Sequence, residues 1–355
     1  MLVGIYSLQD ANGRDLAVQQ TYEKILAHNG IASVRLRAEQ PDFLERVRTL
    51  SLFIMRFQHH DSDLQRAADL LPVIENHLQV PCFPNQAAAW HYDDKIKQYH
   101  LLHSLGFPIT QCWIFYDKSA ALDWIEHATY PLVFKLRGGA GSSNVLMVKT
   151  RETARKLAKR MFGRGIVPEK FLAAGTVRFK HFNPMRELHH MGGNLYRRSK
   201  GLDTSPFWQI QKNYILFQKF LPGNTCDTRV TVIGKRAFAF RRLVREDDFR
   251  ASGSGRIDYD STQIDLRCIQ IAFQTSERMG FQSMAYDFLF NEAGEPEFCE
   301  ISYTYVSRAV YKCPGFWDPA LNWHEGQYWP EYLHLVDALG IQDLKMPELE
   351  PIIAR

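Results

Sequence analysis

The chain has 355 residues, of which 45% are hydrophobic and 23% are charged, and its formal net charge is +4 at pH 7. This composition is typical of a folded soluble protein, the length suits two or three lobes, and the small net charge argues against a dedicated nucleic-acid-binding protein. The six cysteines form no Cys-x-x-Cys pair, which argues against a zinc site or a disulfide framework and indicates a cytoplasmic protein.

The first 85 residues alternate between strand and helix patterns. Residues 2–6 form an apolar run typical of a buried strand rather than of a signal peptide, and residues 14–29 carry apolar side chains at helical spacing. Further strands are predicted near 34–36 and 50–57, and a further helix over 62–78. This alternation predicts a small open α/β lobe. No apolar run approaches the ~20 residues of a membrane span, so no membrane contact is expected.

Three polar residues follow the third predicted strand, at the edge where open α/β sheets often bind ligands. They are Arg56 and the pair His59-His60. Two interpretations of the histidine pair are open: a solvated loop, which we favour, and a metal site.

A strand lysine and a glycine-rich loop mark the middle of the chain. A helix carrying Asp94-Lys95 is predicted to end at Gly106, and a short helix follows over 119–127. A strand over 130–136 holds Lys135 near its end, and small residues fill positions 138–145, where backbone N–H groups can turn towards an anion. The loop lacks the Gly-Lys-Ser/Thr of a Walker A motif, and a flexible hairpin loop remains an open alternative.

A basic helix over 151–162 leads into a long irregular stretch, about 164–213. This stretch contains nine basic residues against three acidic ones, the basic ones being Arg164, Lys170, Arg178, Lys180, Arg186, Arg197, Arg198, Lys200 and Lys212. Loops beyond about 15 residues are usually functional or disordered. We interpret it as an insertion whose cationic surface attracts an acidic substrate, with a solvated loop as the equal alternative.

The next region is predicted to form a strand, a hairpin and a helix. The strand covers 214–221, and the hairpin turns at Gly234-Lys235, where glycine at the first turn position suits a type II′ turn. A glycine-rich connection over 247–255 precedes a helix over 262–279, which Gly280 ends.

Residues 284–302 are predicted to form a second hairpin, and we call it the carboxylate hairpin. A symmetric register about Ala293 and Gly294 places Asp287 opposite Glu300, with Cβ atoms about 5 Å apart. Ser302 then projects from the same face. Two opposed acids repel unless a cation lies between them, and oxygen ligands of this kind suit Mg²⁺ with substrate phosphates. The pattern predicts a nucleotide–metal platform, and a surface hairpin with solvated acids is the alternative.

The last 50 residues are rich in aromatic side chains and are predicted to end in a helix near 330–339. Trp317, Trp323, Tyr328 and Trp329 could line an acceptor pocket by stacking. The favoured alternative is that they pack onto the C-terminal lobe.

Taken in chain order, these motifs resemble an ATP-grasp ligase of the glutathione-synthetase-like superfamily, and they are most similar to its RimK-like branch. The resemblance covers roughly residues 85 to 305. The motifs that carry it are Asp94-Lys95, Lys135, the glycine loop, Gln218-Lys219-Phe220, Asp227-x-Arg229, Phe249-Arg250, Asp287 and Glu300-x-Ser302.

The resemblance implies an α/β protein with α+β lobes, namely an ATP-grasp fold behind a small open pre-ATP-grasp domain. The implied domains are residues 1–85, a central lobe over 86–220 that holds the glycine loop and the insertion, and a C-terminal lobe over 221–355 that holds the metal site and the aromatic tail.

The resemblance also implies a role for each motif. Lys95 and Lys135 would contact phosphates, and the glycine loop would close over them through Gly138, Gly139, Gly141, Ser142 and Ser143. Gln218, Lys219 and Phe220 would contact adenine, Asp227 the ribose, and Arg250 the transferred phosphoryl group. Asp287, Glu300 and Ser302 would hold Mg²⁺, with Mn²⁺ as an alternative metal. Arg229, Ser252 and Arg308 are further candidates for substrate contacts.

The implied reaction is an ATP-dependent ligation of a small-molecule or peptide carboxylate to an amine through an acyl phosphate. A kinase-like phosphotransferase and a non-catalytic nucleotide-binding module are the alternatives, and a homo-oligomer is left open. Two positions depart from the family pattern, because Ser252 and Ser302 stand where an asparagine is usual. Both changes put the metal number and the rate in question, while both acids and both lysines remain.

Overall fold

The computed structural model describes residues 1–8, 16–139, 144–166, 196, 199, 209–244, 250–251 and 255–349. The strands in this part of the chain are β1 Leu2–Tyr6, β2 Ala32–Leu36, β3 Leu52–Ile54, β4 Cys82–Phe83, β5 Cys112–Phe115, β6 Leu132–Lys135, β7 Val145–Val148, β8 Ile215–Lys219, β9 Cys226–Ile233, β10 Arg236–Leu243, β11 Ile257–Asp258, β12 Ser283–Phe290, β13 Pro296–Ser302, β14 Gly315–Trp317 and β15 Trp323–Glu325. The helices are α1 Ala17–His28, α2 Phe43–Val47, α3 Asp61–Pro72, α4 Gln86–Ala89, α5 Lys95–Ser104, α6 Lys118–His127, α7 Arg151–Met161, α8 Leu266–Met279, α9 Ser307–Tyr311 and α10 Pro330–Leu339. None of the helices in these ranges is long and apolar enough to cross a bilayer.

The N-terminal lobe is an open parallel sheet with strand order β2-β1-β3-β4, which confirms the predicted small α/β lobe. Its helix α1 buries Tyr22, Ile25 and Leu26. These side chains share a core with residues of α10, among them Leu335 and Val336, so the end of the chain packs back onto its beginning. The predicted helix over 62–78 is present as α3, and its last turn is a π-helical segment, Val73–His77.

The central lobe is an antiparallel sheet with order β5-β8-β6-β7, and helices α6 and α7 contribute to its core. Lys135, the last residue of β6, pairs with Val145 at the start of β7. The glycine-rich segment therefore connects two strands of a hairpin. Its anion-binding role remains a prediction. Strand β7 itself was not predicted, because four residues after a glycine loop give little periodic signal.

The C-terminal lobe is built on a larger sheet with order β13-β12-β9-β10-β14-β15, and β11 adds to β10. The β9–β10 hairpin turns at the predicted residues, and Gly234 has a φ of +55°. A Cβ at position 234 would also collide with the carboxylate of Asp337. Glycine is favoured there for its backbone angle, while the Asp337 carboxylate could move aside from a Cβ.

The carboxylate hairpin is formed by β12 and β13, and Asp287 pairs with Glu300 as predicted. The pairs nearer the turn are shifted by one residue across a bulge between Asp287 and Phe288. The pairs nearer the turn are centred on Ala293, half a residue from the predicted centre between Ala293 and Gly294. The bulge restores the predicted register at Asp287 and Glu300. The opposite face of the hairpin is apolar, with the Phe288 and Phe298 ring centroids 4.7 Å apart.

The aromatic tail packs onto the protein as favoured, but not onto the C-terminal lobe alone, because Trp329 joins the core of the N-terminal lobe. Trp317 and Trp329 are buried, and Trp329 stacks on Tyr311 with ring centroids 4.0 Å apart. Trp317 and Trp323 lie edge to face at 4.6 Å. These rings fill cores rather than a substrate pocket.

Replacing the buried Phe298 with alanine tests how much this apolar face contributes to the free energy of unfolding. Phe298 is fully buried between Tyr286 and Phe288, so the cavity left by Phe298→Ala should lower the free energy of unfolding by about 3–5 kcal/mol. Urea denaturation followed by circular dichroism measures the change. Glu292→Ala, at the exposed turn of the same hairpin, should alter it by less than about 0.5 kcal/mol. Equal effects of the two variants would contradict the packing described.

Candidate nucleotide and metal site

A cleft of about 780 Å³ lies where the lobes meet, and its volume is within the ~300–1,000 Å³ usual for ligand pockets. The N-terminal lobe contributes Arg56 and His59 to its wall. The polar residues of its floor come from β9, β10, β12 and β13 and are Arg229, Arg242, Asp287, Glu300 and Ser302. The two predicted acids therefore face one cavity, which favours the platform interpretation over a surface hairpin with solvated acids.

Asp287 is held by two arginines. Arg229 donates from Nε to Oδ1 at 2.6 Å and from one terminal nitrogen to Oδ2 at 2.7 Å. Arg242 donates to Oδ2 at 2.7 Å as well. Burial alone would raise the pKa of Asp287, but the two guanidinium groups outweigh it and hold the pKa well below its usual range. Asp287 is thus ionised and oriented at neutral pH.

Arg242 connects Asp287 to a second buried acid, Asp227. Its Nε donates to Asp227 Oδ1 at 2.7 Å, and a terminal nitrogen donates to Oδ2 at 2.5 Å. Charges of opposite sign thus alternate across β10, β9 and β12, and we call Arg229, Arg242, Asp227 and Asp287 the arginine–carboxylate ladder. Each oxygen of Asp227 accepts from Arg242 and keeps a further lone pair for another donor. The predicted ribose contact of Asp227 remains a prediction.

The two predicted lysines reach the acid strand from the central lobe. Lys95 Nζ lies 3.2 Å from Glu300 Oε1, and Lys135 Nζ lies 3.5 Å from the Sγ of Cys299, the preceding residue. Burial lowers the pKa of Lys95, but the neighbouring Glu300 and Asp93 outweigh it, so the pKa is raised. Lys95 is therefore a buried cation directly beside the predicted metal ligand.

The position of Lys95 follows from how its helix begins. Asp94 is the N-cap of α5, and its Oδ1 accepts hydrogen bonds from the backbone N–H groups of Ile96 at 3.1 Å and Lys97 at 3.0 Å. Lys95 is the first residue of the helix, and its own N–H donates to the carbonyl of Arg137 at 3.0 Å. This bond ties the helix start to the glycine loop.

The glycine loop is described only at its ends. Gly138 and Gly139 follow β6, and Lys95 Nζ donates to the carbonyl of Gly139 at 3.1 Å. Three predicted loop contacts, Gly141, Ser142 and Ser143, lie outside the described residues, as does most of the basic insertion.

The predicted adenine contacts lie on and after β8. Gln218 is buried, and its Nε2 donates to Cys112 Sγ at 3.6 Å on the neighbouring strand β5. Lys219 is exposed at the end of β8, and Phe220 is half-buried. Their roles in nucleotide binding remain predictions.

The remaining predicted residues differ in their distance from the cleft. Ser302 lines it, and its hydroxyl donates to the carbonyl of Thr304 at 2.8 Å. Arg250 is half-buried and is followed by Ala251, which lines the cleft, while Ser252 lies outside the described residues. Arg308 is exposed on α9, and only its neighbours in the chain line the cleft.

The structure adds residues that the motifs did not single out. Arg242 is the most important, because it bridges two acids. Arg56, noted only for its position after β3, lines the cleft and lies 2.9 Å from Glu331 of α10. Arg56, and not Arg308, is therefore a cation that lines the cleft.

His59 lines the cleft rather than a fully solvated loop. Burial, followed by repulsion from His60 and Lys95, lowers the pKa of His59 to about 4, so it is neutral at pH 7. Within the described ranges, no group of three or more His, Cys, Asp or Glu residues is arranged to hold a metal. The metal interpretation of the histidine pair therefore has no support.

The carboxylate hairpin does fit a divalent cation that arrives with phosphates. Mg²⁺ commonly takes one or two protein carboxylates and completes its octahedron with substrate oxygens and water. Asp287 and Glu300 supply two such carboxylates on adjacent strands facing one cleft. Both oxygens of Asp287 already accept hydrogen bonds from Arg229 and Arg242, so a metal ion would have to share or displace these donors. Ser302 adds a hydroxyl oxygen, although that hydroxyl is already engaged in a turn with Thr304.

Comparisons with known proteins agree on the architecture. No protein-family model matches the sequence. No curated protein matches it either. Among solved structures, a RimK domain ATP-grasp protein from Sphaerobacter thermophilus is 14% identical, with a TM-score of 0.51 over 87% of this chain and 95% of that one.

Two further solved structures are similar over most of both chains. D-cycloserine synthetase DcsG is 14% identical, with a TM-score of 0.52 over 97% of this chain and 100% of that one. The biotin carboxylase domain of Hydrogenobacter thermophilus 2-oxoglutarate carboxylase, solved with MgADP, ADP and bicarbonate, is 10% identical, with a TM-score of 0.53 over 95% and 69% of the two chains. The chain therefore has the ATP-grasp fold, as the motifs predicted.

Removing Arg242 should reveal how far the buried acids depend on it. Arg242→Gln leaves Asp227 and Asp287 buried with less compensation, so the free energy of unfolding should fall by about 3–5 kcal/mol at pH 7. Asp227 and Asp287 of the variant should have raised pKa values, so they become protonated, and lose their buried charge, as the pH falls towards 4. The difference in the free energy of unfolding between the wild type and the variant should therefore shrink at low pH. Denaturant unfolding between pH 4 and 8 measures both effects.

Arg241→Gln is the matched control, because Arg241 is the neighbouring residue on β10 and pairs with the partly exposed Asp258. A partly exposed pair of this kind contributes about 0–1 kcal/mol. If Arg241→Gln were as costly as Arg242→Gln, the special position of Arg242 in the ladder would be wrong.

Proposed function

We propose that the protein is an ATP-dependent carboxylate–amine ligase that forms an amide bond through an acyl phosphate. The observation that carries this proposal is the pairing of Asp287 with Glu300 inside a cleft that Lys95 and Lys135 approach from the opposite lobe. The likeness in fold to a D-cycloserine synthetase and to a biotin carboxylase domain bound to MgADP supports it.

In this proposal the lysines and the loop bind the triphosphate. Lys95 and Lys135 neutralise phosphate oxygens, and N–H groups of the glycine loop donate to the terminal phosphate. Asp287 and Glu300, with Ser302 beside them, would hold Mg²⁺, which when bound supplies positive charge to the phosphates. The end of β8, at Gln218 to Phe220, contacts the base.

The chemistry requires two transfers. A carboxylate oxygen of the acid substrate attacks the γ-phosphorus of ATP, the bond from that phosphorus to the β–γ bridging oxygen breaks, and ADP leaves. The amine then attacks the carbonyl carbon of the acyl phosphate, loses a proton, and inorganic phosphate departs with the C–O bond electrons. Both steps develop negative charge on phosphoryl or carbonyl oxygens, so fixed cations such as Arg250 and Lys135 lower the barrier without rearranging.

The acyl phosphate must also be kept from water, because hydrolysis would waste it. Of the segments that could exclude water, we take the glycine loop between β6 and β7 as the candidate lid. We assign the acid and amine substrates to small molecules or peptides, and the protein to the cytoplasm, without nucleic-acid or membrane partners.

A coupled assay for ADP tests the reaction. Screened across acids and amines, the protein should release ADP only when both substrates are present, and mass spectrometry should detect the amide. Release with a hydroxyl acceptor alone would instead support a phosphotransferase, and no release with any pair would support a non-catalytic module. Lys135→Met should lower kcat/KM by about 10²–10³-fold. Lys149→Met, an exposed lysine after β7, should leave it unchanged.

Nucleotide binding tests the metal ligands separately from turnover. Calorimetric titration of ATP with Mg²⁺ and with EDTA should show that the metal tightens binding to the wild type. Glu300→Gln should lose most of this gain, by about tenfold or more, because one carboxylate ligand is gone. Glu295→Gln, exposed at the turn of the same hairpin, should keep it. The same metal dependence in the wild type and Glu300→Gln would exclude Glu300 as a ligand.

A further inference from the structure

Asp93 makes a contact that neither the motifs nor the proposed reaction uses. It is buried, lines the cleft, and directly precedes the Asp94-Lys95 motif. Both of its carboxylate oxygens accept a hydrogen bond from the backbone N–H of Gly139, each at 2.9 Å. The N–H of Gly139, the second residue of the glycine loop, is therefore engaged by an anion of the protein itself.

The surrounding chain is shaped to allow this contact. A Cβ on Gly138 would lie 2.8 Å from Asp93 Oδ2, so only glycine leaves room for the carboxylate. Asp93 itself has a φ of +50°, a left-handed conformation that only a few per cent of non-glycine residues adopt and that Asp and Asn tolerate best. The site thus carries backbone strain that aims the carboxylate at the loop.

The partners of Asp93 are those expected of a phosphate. Lys95 Nζ lies 4.0 Å from Asp93 Oδ1 and also donates to the carbonyl of Gly139. A backbone N–H from a glycine loop and a buried lysine together form the usual environment of a phosphate oxygen. A carboxylate and a phosphate that require the same donors cannot both occupy them.

We propose that Asp93 is an intramolecular stand-in for a nucleotide phosphate. Its carboxylate holds the base of the glycine loop while the cleft has no nucleotide, and a phosphate group of the nucleotide displaces it from Gly139 and Lys95 on binding. Asp93 is in this sense a positioning residue that sets nucleotide affinity. The inference rests on the proposed function, because it requires that the cleft binds a nucleoside phosphate.

The test is Asp93→Asn. Asparagine tolerates the left-handed backbone and retains one oxygen that accepts from Gly139, so the change removes the charge and one of the two contacts to that N–H. Calorimetric titration with metal-free ATP should give a dissociation constant lower than that of the wild type by about 5- to 150-fold, the usual range of coupling between two binding events. Adenosine, which carries no phosphate, should bind both proteins equally. Asp117→Asn, at the exposed N-cap of α6, should bind ATP like the wild type.

Hydrogen exchange gives a second measurement that does not depend on the nucleotide. A peptide spanning Gly139 should exchange faster in Asp93→Ala than in the wild type, because the acceptor of its N–H is gone. Unchanged exchange would contradict the contact.

Each outcome of the titration decides a different point. Unchanged or weaker ATP binding by Asp93→Asn would overturn the inference, and weaker binding would make Asp93 a support of the nucleotide site. Equal tightening for ATP and adenosine would overturn it too, because competition acts only on phosphate. If neither protein bound ATP or adenosine, the proposed function would fail and the inference with it.

Discussion

The site depends on one electrostatic constraint, namely that two carboxylates on adjacent strands face each other at the floor of a cleft. The backbone of β12 and β13 holds Asp287 and Glu300 opposite each other, which keeps their Cβ atoms close. Neighbouring cations therefore have to offset the repulsion between the two carboxylates. Arg229 and Arg242 approach Asp287 from the same sheet, and Lys95 approaches Glu300 from the central lobe.

The charges around this floor balance before any ligand arrives. The acids Asp93, Asp227, Asp287 and Glu300 are matched by four cations, Lys95, Lys135, Arg229 and Arg242. A triphosphate adds about four negative charges to this balanced group, so the cleft favours it only if further positive charge accompanies it. A divalent cation on Asp287 and Glu300 would supply that charge, which is a physical reason for the nucleotide and the metal to bind together.

How well the sequence predicts a contact in this site depends on how far apart its two residues lie in the chain. The Asp287–Glu300 pair follows from a hairpin with a short turn, and the sequence was sufficient for it. The Asp227–Arg242 pair follows in the same way from the Gly234-Lys235 turn, because a symmetric register about that turn places these residues opposite each other. This pairing is available from the sequence, although the family motif points only to Asp227 and not to its partner Arg242.

Other parts of the site carried no local signal. Arg229 meets Asp287 only because β9 pairs with β12, although the two residues are 58 positions apart in the chain, with β10, β11 and α8 between them. The contact between Asp93 and Gly139 requires a left-handed residue before the N-cap of α5 and a glycine loop from the distant β6–β7 hairpin. Short strands such as β5 and β14 were not predicted either, since three or four residues show no clear alternation. Tertiary pairing decides these features, and a single sequence does not reveal it.

The lysines owe their position to a link between lobes near the acids. Phe298 of β13 donates its N–H to the carbonyl of Pro108 at 2.7 Å and accepts from the N–H of Thr110 at 2.9 Å. These bonds join the segment after α5 to β13 two residues before Glu300. Lys95 and Glu300, 3.2 Å apart, add a side-chain contact between the same two lobes. The main-chain bonds at Phe298 and this ion pair lie on either side of the bulge residue Cys299, so together they fix where the lysine meets the acid.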